Sequence, residues 1–296
     1  MSKSDRPFLT RVFDPGPTPD TVPLPSTGRA GRNLPAAVAS GLTLLVGVVA
    51  ALLFARPIFM VFVGFLVLLA SWEVAGALAR KNLKVALPAV YVGGLAMFVA
   101  GALGSTSWVM YATYGTIVLA IAWRLFTGGM ESNAIGGITA TVFIIAYIPF
   151  MASFVGLMSA RSDSPWPMVF FILVVVANDL GGWLAGITFG KHPMAPKLSP
   201  KKSWEGFAGS LVLCGAVAYW ATWVLGIEWW WAIPLAATGA IVGTLGDLTE
   251  SLIKRGVGLK DMSEIMPGHG GIMDRLDSLL FTAPMFYLIY SSALGW

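Results

Sequence analysis

The sequence has little charge and very little thiol or imidazole chemistry. Only 11% of its 296 residues are charged, against roughly 25% in soluble domains, which excludes an ordinary globule dissolved in water. The one cysteine, Cys214, stands in an apolar run. It excludes an intrachain disulfide and a cysteine-based metal site and leaves a buried, inert thiol. A net charge of +4 arises without any block of five or more basic residues, so the footprint of a nucleic-acid-binding protein is missing. A P-loop is missing too: Ala185 stands five residues before Gly190-Lys191 and His192 follows it. No internal repeat is visible, and so no sign of the duplicated halves common in transporters.

Apolar residues fill the space that charge leaves. Hydrophobic types make up 56% of the chain, with 17 Phe, 12 Trp and 7 Tyr, and the mean hydropathy is +0.76. That much apolar surface excludes a disordered or fibrous chain and requires lipid as the main solvent. A span needs about 20 apolar residues to cross about 30 Å of hydrocarbon. Runs of that kind lie near 34–54, 58–79, 85–104, 107–126, 134–158, 166–189, 207–226, 229–248 and 279–295. In lipid a helix satisfies its own backbone hydrogen bonds, so the expected fold is an all-α, polytopic integral membrane protein. It has about nine transmembrane helices in one domain, 34–296. Residues 1–33 are polar, hold Pro7, Pro15, Pro17, Pro19, Pro23 and Pro25, and read as a flexible tail, not a cleaved signal peptide. Basic residues are retained on the cytoplasmic side of short loops. With the N-terminus cytoplasmic, every Lys and Arg except Arg56 and Arg161 falls on that side, and Trp229, Trp230 and Trp231 form an aromatic anchor at the outer interface.

The polar chemistry collects in two segments, 179–206 and 246–278. From Asp247 to Asp277 the chain holds Asp247, Glu250, Asp261, Glu264, Asp274 and Asp277 with Lys254, Arg255, Lys260 and Arg275. A solvated loop with incidental ion pairs is the usual meaning of a charge run. Here, however, carboxylates outnumber cations where a cytoplasmic loop would be mainly basic. Spacing adds to this: Asp247, Glu250, Ser251 and Lys254 stand at i, i+3, i+4 and i+7, and share one face if their helix continues past Asp247. Asp274, Asp277 and Ser278 repeat the i, i+3, i+4 spacing. Two acidic helix ends that meet would suit a hard divalent cation such as Mg²⁺, which takes oxygen ligands and keeps water for substrate phosphates. Between them, Pro267-Gly268-His269-Gly270-Gly271 permits the positive φ and close approach of an anion-cradling turn, although many such turns only connect helices. His269 is read as a phosphate contact in preference to a surface histidine. His192, with no acidic neighbour in the sequence, is read as a surface residue.

The segment 190–206 reads GKHPMAPKLSPKKSWEG. Lys201 and Lys202 are either membrane-surface lysines or, beside Ser199, Ser203 and Glu205, contacts for a phosphate or nucleotide. Ser203 and Glu205 equally suit the start of a helix. Asp179 lies about ten residues from the cytoplasmic end of its span, ~15 Å along the helix, and is expected to line a polar cavity. Glu73 lies nearer the interface, where Arg80 or Lys84 could satisfy it, and a structural role suits it at least as well. Glu131 reads as an ordinary loop acid.

Ser251, Lys254-Arg255, Lys260-Asp261, His269-Gly270-Gly271, Asp274-Arg275 and Asp277 together resemble the signature of the phosphatidate cytidylyltransferases, also called CDP-diacylglycerol synthases. Gly246-Asp247-Leu248-Thr249-Glu250 and Ser199-Pro200-Lys201-Lys202-Ser203-Trp204-Glu205-Gly206 also resemble motifs of that family. The resemblance covers the C-terminal half from about Asp179; the N-terminal half is similar only as a multi-span protein. Met266 stands where the family usually has Leu, Ile or Phe, and Ser203 where Thr is commoner; both keep the chemistry.

The resemblance implies a homodimeric nine-helix bundle in the cell membrane, with a site open to the cytoplasm and the inner leaflet. Its implied reaction converts CTP and phosphatidate to CDP-diacylglycerol and pyrophosphate, a step of phospholipid biosynthesis. It places paired metal-binding aspartates at Asp247 and Asp274, holding Mg²⁺ with the option of a second cation. Lys254, Arg255, Lys260, His269 and Arg275 are then the further catalytic candidates. Ser199, Lys201, Lys202, Ser203, Glu205, Asp179, Gly270 and Gly271 are the substrate-binding candidates. Glu250, Asp261 and Asp277 are expected behind the ligands, orienting cations or bound water. The alternatives are a CTP-dependent polyprenol kinase, an ether-lipid cytidylyltransferase, or a transporter. A transporter would carry charges at mid-membrane on several helices, and only Asp179 favours it.

Overall fold

Lipid offers no partner to a bare amide, so long apolar runs close into helices. The computed structural model describes residues 12–18, 48, 50–52, 56–127, 133–263 and 271–296. Three helices come first: α1 (Arg56–Ala79), α2 (Leu87–Ala102) and α3 (Thr106–Thr127). Next are α4 (Ala134–Arg161) and α5 (Trp166–Phe189). An antiparallel hairpin follows, β1 (Pro193–Ala195) with β2 (Ser199–Ser203), paired Pro193 to Ser203 and Ala195 to Ser199. The chain ends in α6 (Trp204–Leu225), α7 (Trp229–Val257) and α8 (Met273–Leu294).

Six of these helices, α1, α3, α4, α5, α6 and α7, are long and apolar enough to cross a membrane, and the protein is a membrane protein. The apolar α2 has 16 residues, ~24 Å of helix. The first expected span, 34–54, falls mostly outside the described residues. Two of the rods are not uniform. In α4 a widened π-type turn, Ala146–Phe150, surrounds Pro149, which has no amide to donate and would leave a carbonyl of an ordinary preceding turn unmatched. In α7 a tight turn at Trp229–Trp231 and a π-type turn at Thr238–Val242 precede the straight segment Gly243–Val257.

Two apolar clusters hold the bundle together. One joins α4, α5, α6, α7 and α8 around Phe171, Leu235, Phe286 and Tyr290; the other joins α1, α2, α4 and α8 around Val74, Leu87, Ile144, Ile148 and Met273. Both use α4 and α8, which therefore tie the N-terminal helices to the polar end of the molecule. Outward-facing Val61, Tyr114, Phe126, Val212 and Trp223 form the surface that lipid covers.

The C-terminal ends of α1, α5 and α7, the N-terminal ends of α6 and α8, and the hairpin meet at one end of the bundle. Residues 12–18 of the Pro-rich tail are held there. Thr18 N–H donates to Gly76 O at 3.0 Å, and Tyr91 Oη donates to Val12 O at 2.9 Å. Arg80 donates through Nη1 to Thr18 O at 2.7 Å and through Nε to Val257 O at 3.1 Å. One guanidinium thus links the tail to the last turn of α7.

Candidate active site

The site is built from α5, α6, α7, α8 and the hairpin. On α7, Asp247, Glu250 and Lys254 do share a face, because the helix runs unbroken from Gly243 to Val257. On α8, Asp274 and Asp277 occupy the first turns. Helices α7 and α8 touch closely at Gly246: a Cβ there would stand 2.7 Å from Asp277 O. Ser278 Oγ donates to Gly243 O at 2.9 Å and fixes the same contact.

The acidic ends converge, and they do so through Asp277. Carboxylate oxygens of Asp247, Glu250 and Asp277 all lie within 4.8 Å of one another. Glu250 and Asp277 are buried and Asp247 is half-buried. Glu250 Oε1 is buried and has no hydrogen-bond partner among the described residues. Three carboxylates held this close in poor contact with water repel one another unless a cation lies between them or one of them takes up a proton. An all-oxygen set with an unpartnered buried oxygen suits a hard divalent ion such as Mg²⁺.

Asp274 is engaged differently. Lys254 Nζ lies 2.6 Å from Asp274 Oδ1 and 2.5 Å from Glu250 Oε2, bridging α7 to α8. Asp274 Oδ2 accepts from Gly271 N at 2.7 Å and from Met262 N at 3.2 Å. So Glu250 and Asp277, which the sequence places behind the ligands, sit with Asp247, whereas Asp274 anchors Lys254 and the chain on either side of 264–270.

Beside the carboxylates, an open cleft runs between α5, β2, α6 and α7. Asp179, Lys201, Lys202, Ser203 and Asp247 all line it. Lys202 Nζ lies 2.5 Å from Asp247 Oδ2, so the hairpin's cation closes on the carboxylate cluster. Ser203 Oγ accepts from Gly206 N at 3.1 Å and caps α6. The hairpin is thereby set on the helix start, and Ser203 both caps α6 and lines the cleft.

Other candidates lie around this centre without lining the cleft. Glu205 Oε2 accepts from Lys191 N at 3.1 Å and His192 N at 3.2 Å, and its Oε1 lies 2.6 Å from His192 Nδ1. His192 therefore does have an acidic neighbour, contrary to the sequence reading, because the hairpin folds residue 205 back over residue 192. Arg255 Nη1 donates to Leu259 O at 3.3 Å. Ser199 and Asp261 are half-buried, and Lys260 and Arg275 are exposed at the same end. Gly271 is buried. His269 and Gly270 fall outside the described residues.

A model of the cytidylyltransferase family matches residues 35–293. This chain belongs to the cytidylyltransferase family. A phosphatidate cytidylyltransferase of Mycobacterium leprae (strain TN) is 39% identical over 283 residues, covering 87% of this chain and 88% of the relative. One from Mycobacterium tuberculosis (strain ATCC 25618 / H37Rv) is 38% identical over 285 residues, 90% of this chain and 85% of its own. One from Aquifex aeolicus (strain VF5) is 41% identical over 133 residues, 45% of this chain and 50% of its own.

Against that family background, the cleft contains polar groups that no motif reading supplied. Asn178 is buried beside Asp179; its carbonyl oxygen accepts from Ser210 Oγ at 2.6 Å and its Oδ1 from Thr244 Oγ1 at 3.3 Å. These three side chains bind α5, α6 and α7 together under the cleft. A signal for two of them exists in the sequence. Thr244 is three residues before Asp247, and Ser210 is seven after Ser203, each on the face that already carries chemistry.

Proposed function

We propose that this cytidylyltransferase transfers the cytidylyl group of CTP to phosphatidate, giving CDP-diacylglycerol and pyrophosphate. The observation that carries the reading is the convergence of Asp247, Glu250 and Asp277 beside a lysine-lined cleft at one end of a membrane bundle. Phosphatidate arrives with an ionised phosphate, so its attack on the α-phosphate needs no strong general base. The obstacle is bringing two polyanions together in line. Mg²⁺ held by Asp247, Glu250 and Asp277 would neutralise charge on the triphosphate and polarise its phosphoryl oxygens. Lys201, Lys202 and Ser203 receive the triphosphate from the hairpin side, with Asp179 of α5 on another wall of the cleft. Lys254 is the cation on the α8 side, held by Asp274. Arg255, Lys260, His269 and Arg275 lie in the segment that would meet the lipid phosphate.

The same reading includes nine spans, a cytoplasmic N-terminus and a site facing the cytoplasm of the cell membrane. The placement of basic residues supports it, since all but Arg56 and Arg161 belong to one side. CTP is then available to the cleft while acyl chains stay among the helices, and the working unit is a homodimer.

The test gives the purified, detergent-solubilised chain CTP and Mg²⁺ with, in parallel, phosphatidate, a polyprenol or an ether lipid. Release of pyrophosphate together with CDP-diacylglycerol is expected. Release of CDP with phosphorylation of a polyprenol, or transfer only to an ether lipid, would replace the acceptor. Absence of any CTP turnover would refute the reading.

A further inference from the structure

Glu73 lies far from the motifs in sequence and is 1% exposed on α1. Its hydrogen bonds run to the start of α8 and the chain before it. Its Oε1 accepts from the Ser263 hydroxyl and from Ile272 N at 2.9 Å, and its Oε2 accepts from Met273 N at 2.8 Å. These donors flank 264–270 and include the first amides of α8. A helix N-terminus leaves such amides unmatched and attracts negative charge.

The fit leaves no slack. A Cβ at residue 271 would stand 2.9 and 3.0 Å from the two Glu73 oxygens and 3.1 Å from Asp274 Oδ2, so any side chain where the chain passes between the two carboxylates would have to displace one of them. A buried carboxylate that faces neutral donors beside a second acid is a costly way to cap a helix, and a serine or asparagine on the local chain would cap it at lower cost. What Glu73 adds is a rigid, two-oxygen anchor from a different helix.

We propose that Glu73 is a positioning residue for the transfer: by receiving Ser263, Ile272 and Met273 it fixes the start of α8, and so places Asp274 and Asp277 against Glu250 and Asp247 of α7. The inference rests on the function proposed above. Glu73 itself touches no cleft-lining residue among the contacts described here, and acts through the helix it holds.

The test compares the full-length, detergent-solubilised chain with its Glu73→Gln, Glu73→Asp and Glu73→Ala variants. Pyrophosphate release yields kcat and the KM for CTP, and hydrogen–deuterium exchange is followed peptide by peptide. In Glu73→Gln, which keeps the shape and loses one acceptor, kcat should fall by about tenfold or more, toward the ~100-fold that a 1 Å misplacement costs. The KM for CTP should stay within about threefold, because the cleft walls on α5 and the hairpin are untouched. Exchange should quicken over residues 271–280 and stay unchanged on α5 and α6. Glu73→Asp, too short to reach both amides, should not rescue.

Wild-type kcat and wild-type exchange in Glu73→Gln and Glu73→Ala would overturn the proposal. So would uniformly faster exchange over the whole chain with unchanged kcat per folded molecule, which is the mark of a purely structural acid. A wild-type chain that releases no pyrophosphate would refute the reaction and not the clamp, which exchange over 271–280 still decides.

Discussion

Replacing Lys254 by methionine keeps most of the side chain's volume and removes the ammonium between Glu250 and Asp274. The ion-paired atoms are 2.5 and 2.6 Å apart, and the Lys254, Glu250 and Asp274 side chains are 12%, 1% and 10% exposed. Breaking a buried pair by deleting one partner costs about 3–5 kcal/mol, because the partner's charge stays buried without compensation. Here two carboxylates lose the same cation, yet water still reaches Lys254 and Asp274, so the lower end of the range, ~3 kcal/mol, is the expected loss. At roughly 2–4 °C per kcal/mol, the melting temperature should drop by about 6–12 °C. Tryptophan fluorescence of the detergent-solubilised chain on heating measures this. The reasoning also requires coupling: with Glu250→Gln already in place one carboxylate no longer needs the ammonium, so Lys254→Met should then cost ~1–3 kcal/mol less. A Lys254→Met chain that melts within a degree of wild type, or a strictly additive double variant, would refute it.

Three more outcomes follow from the geometry. Asp247→Asn and Asp277→Asn should each lower pyrophosphate release by ~100-fold or more, since a phosphoryl-binding metal supplies several kcal/mol; EDTA should abolish turnover and Mg²⁺ restore it. Gly246→Ala should destabilise the chain by about 1–3 kcal/mol in the same melting assay, because its methyl meets Asp277 O at 2.7 Å and must push α7 from α8. Lys202→Gln should raise the KM for CTP by about tenfold, the value of a charged hydrogen bond to phosphate, with less effect on the KM for phosphatidate; equal effects on both would move Lys202 out of the nucleotide's half of the cleft.

The parts legible in the sequence were those set by local periodicity. Residues 247, 250 and 254 share a face because α7 is a continuous helix there, and helical geometry needs no tertiary information. The apolar runs gave the helices for the same reason, although the π-type turns at Ala146–Phe150 and Thr238–Val242 and the short hairpin left no mark in composition. Which carboxylate of α8 joins Asp247 was not legible. Asp274 and Asp277 have equal spacing claims; in the fold Asp277 lies within 4.8 Å of Asp247 and Glu250, and Asp274 meets α7 through Lys254. Glu73 was beyond reach altogether, since its partners Ile272 and Met273 lie 199 and 200 residues away. The pairing of His192 with Glu205 needed the hairpin's fold, and the docking of residues 12–18 needed Arg80, both of which are tertiary facts.

The central claim is that Asp247, Glu250 and Asp277 form one divalent-cation site. Mn²⁺ binding, followed by electron paramagnetic resonance on the purified full-length chain with phosphatidate and no CTP, tests it most directly. A saturable site in the wild type that Mg²⁺ displaces, and that is lost in both Asp247→Asn and Asp277→Asn, is predicted. Equal Mn²⁺ binding by wild type and both variants, or none by the wild type, would contradict it.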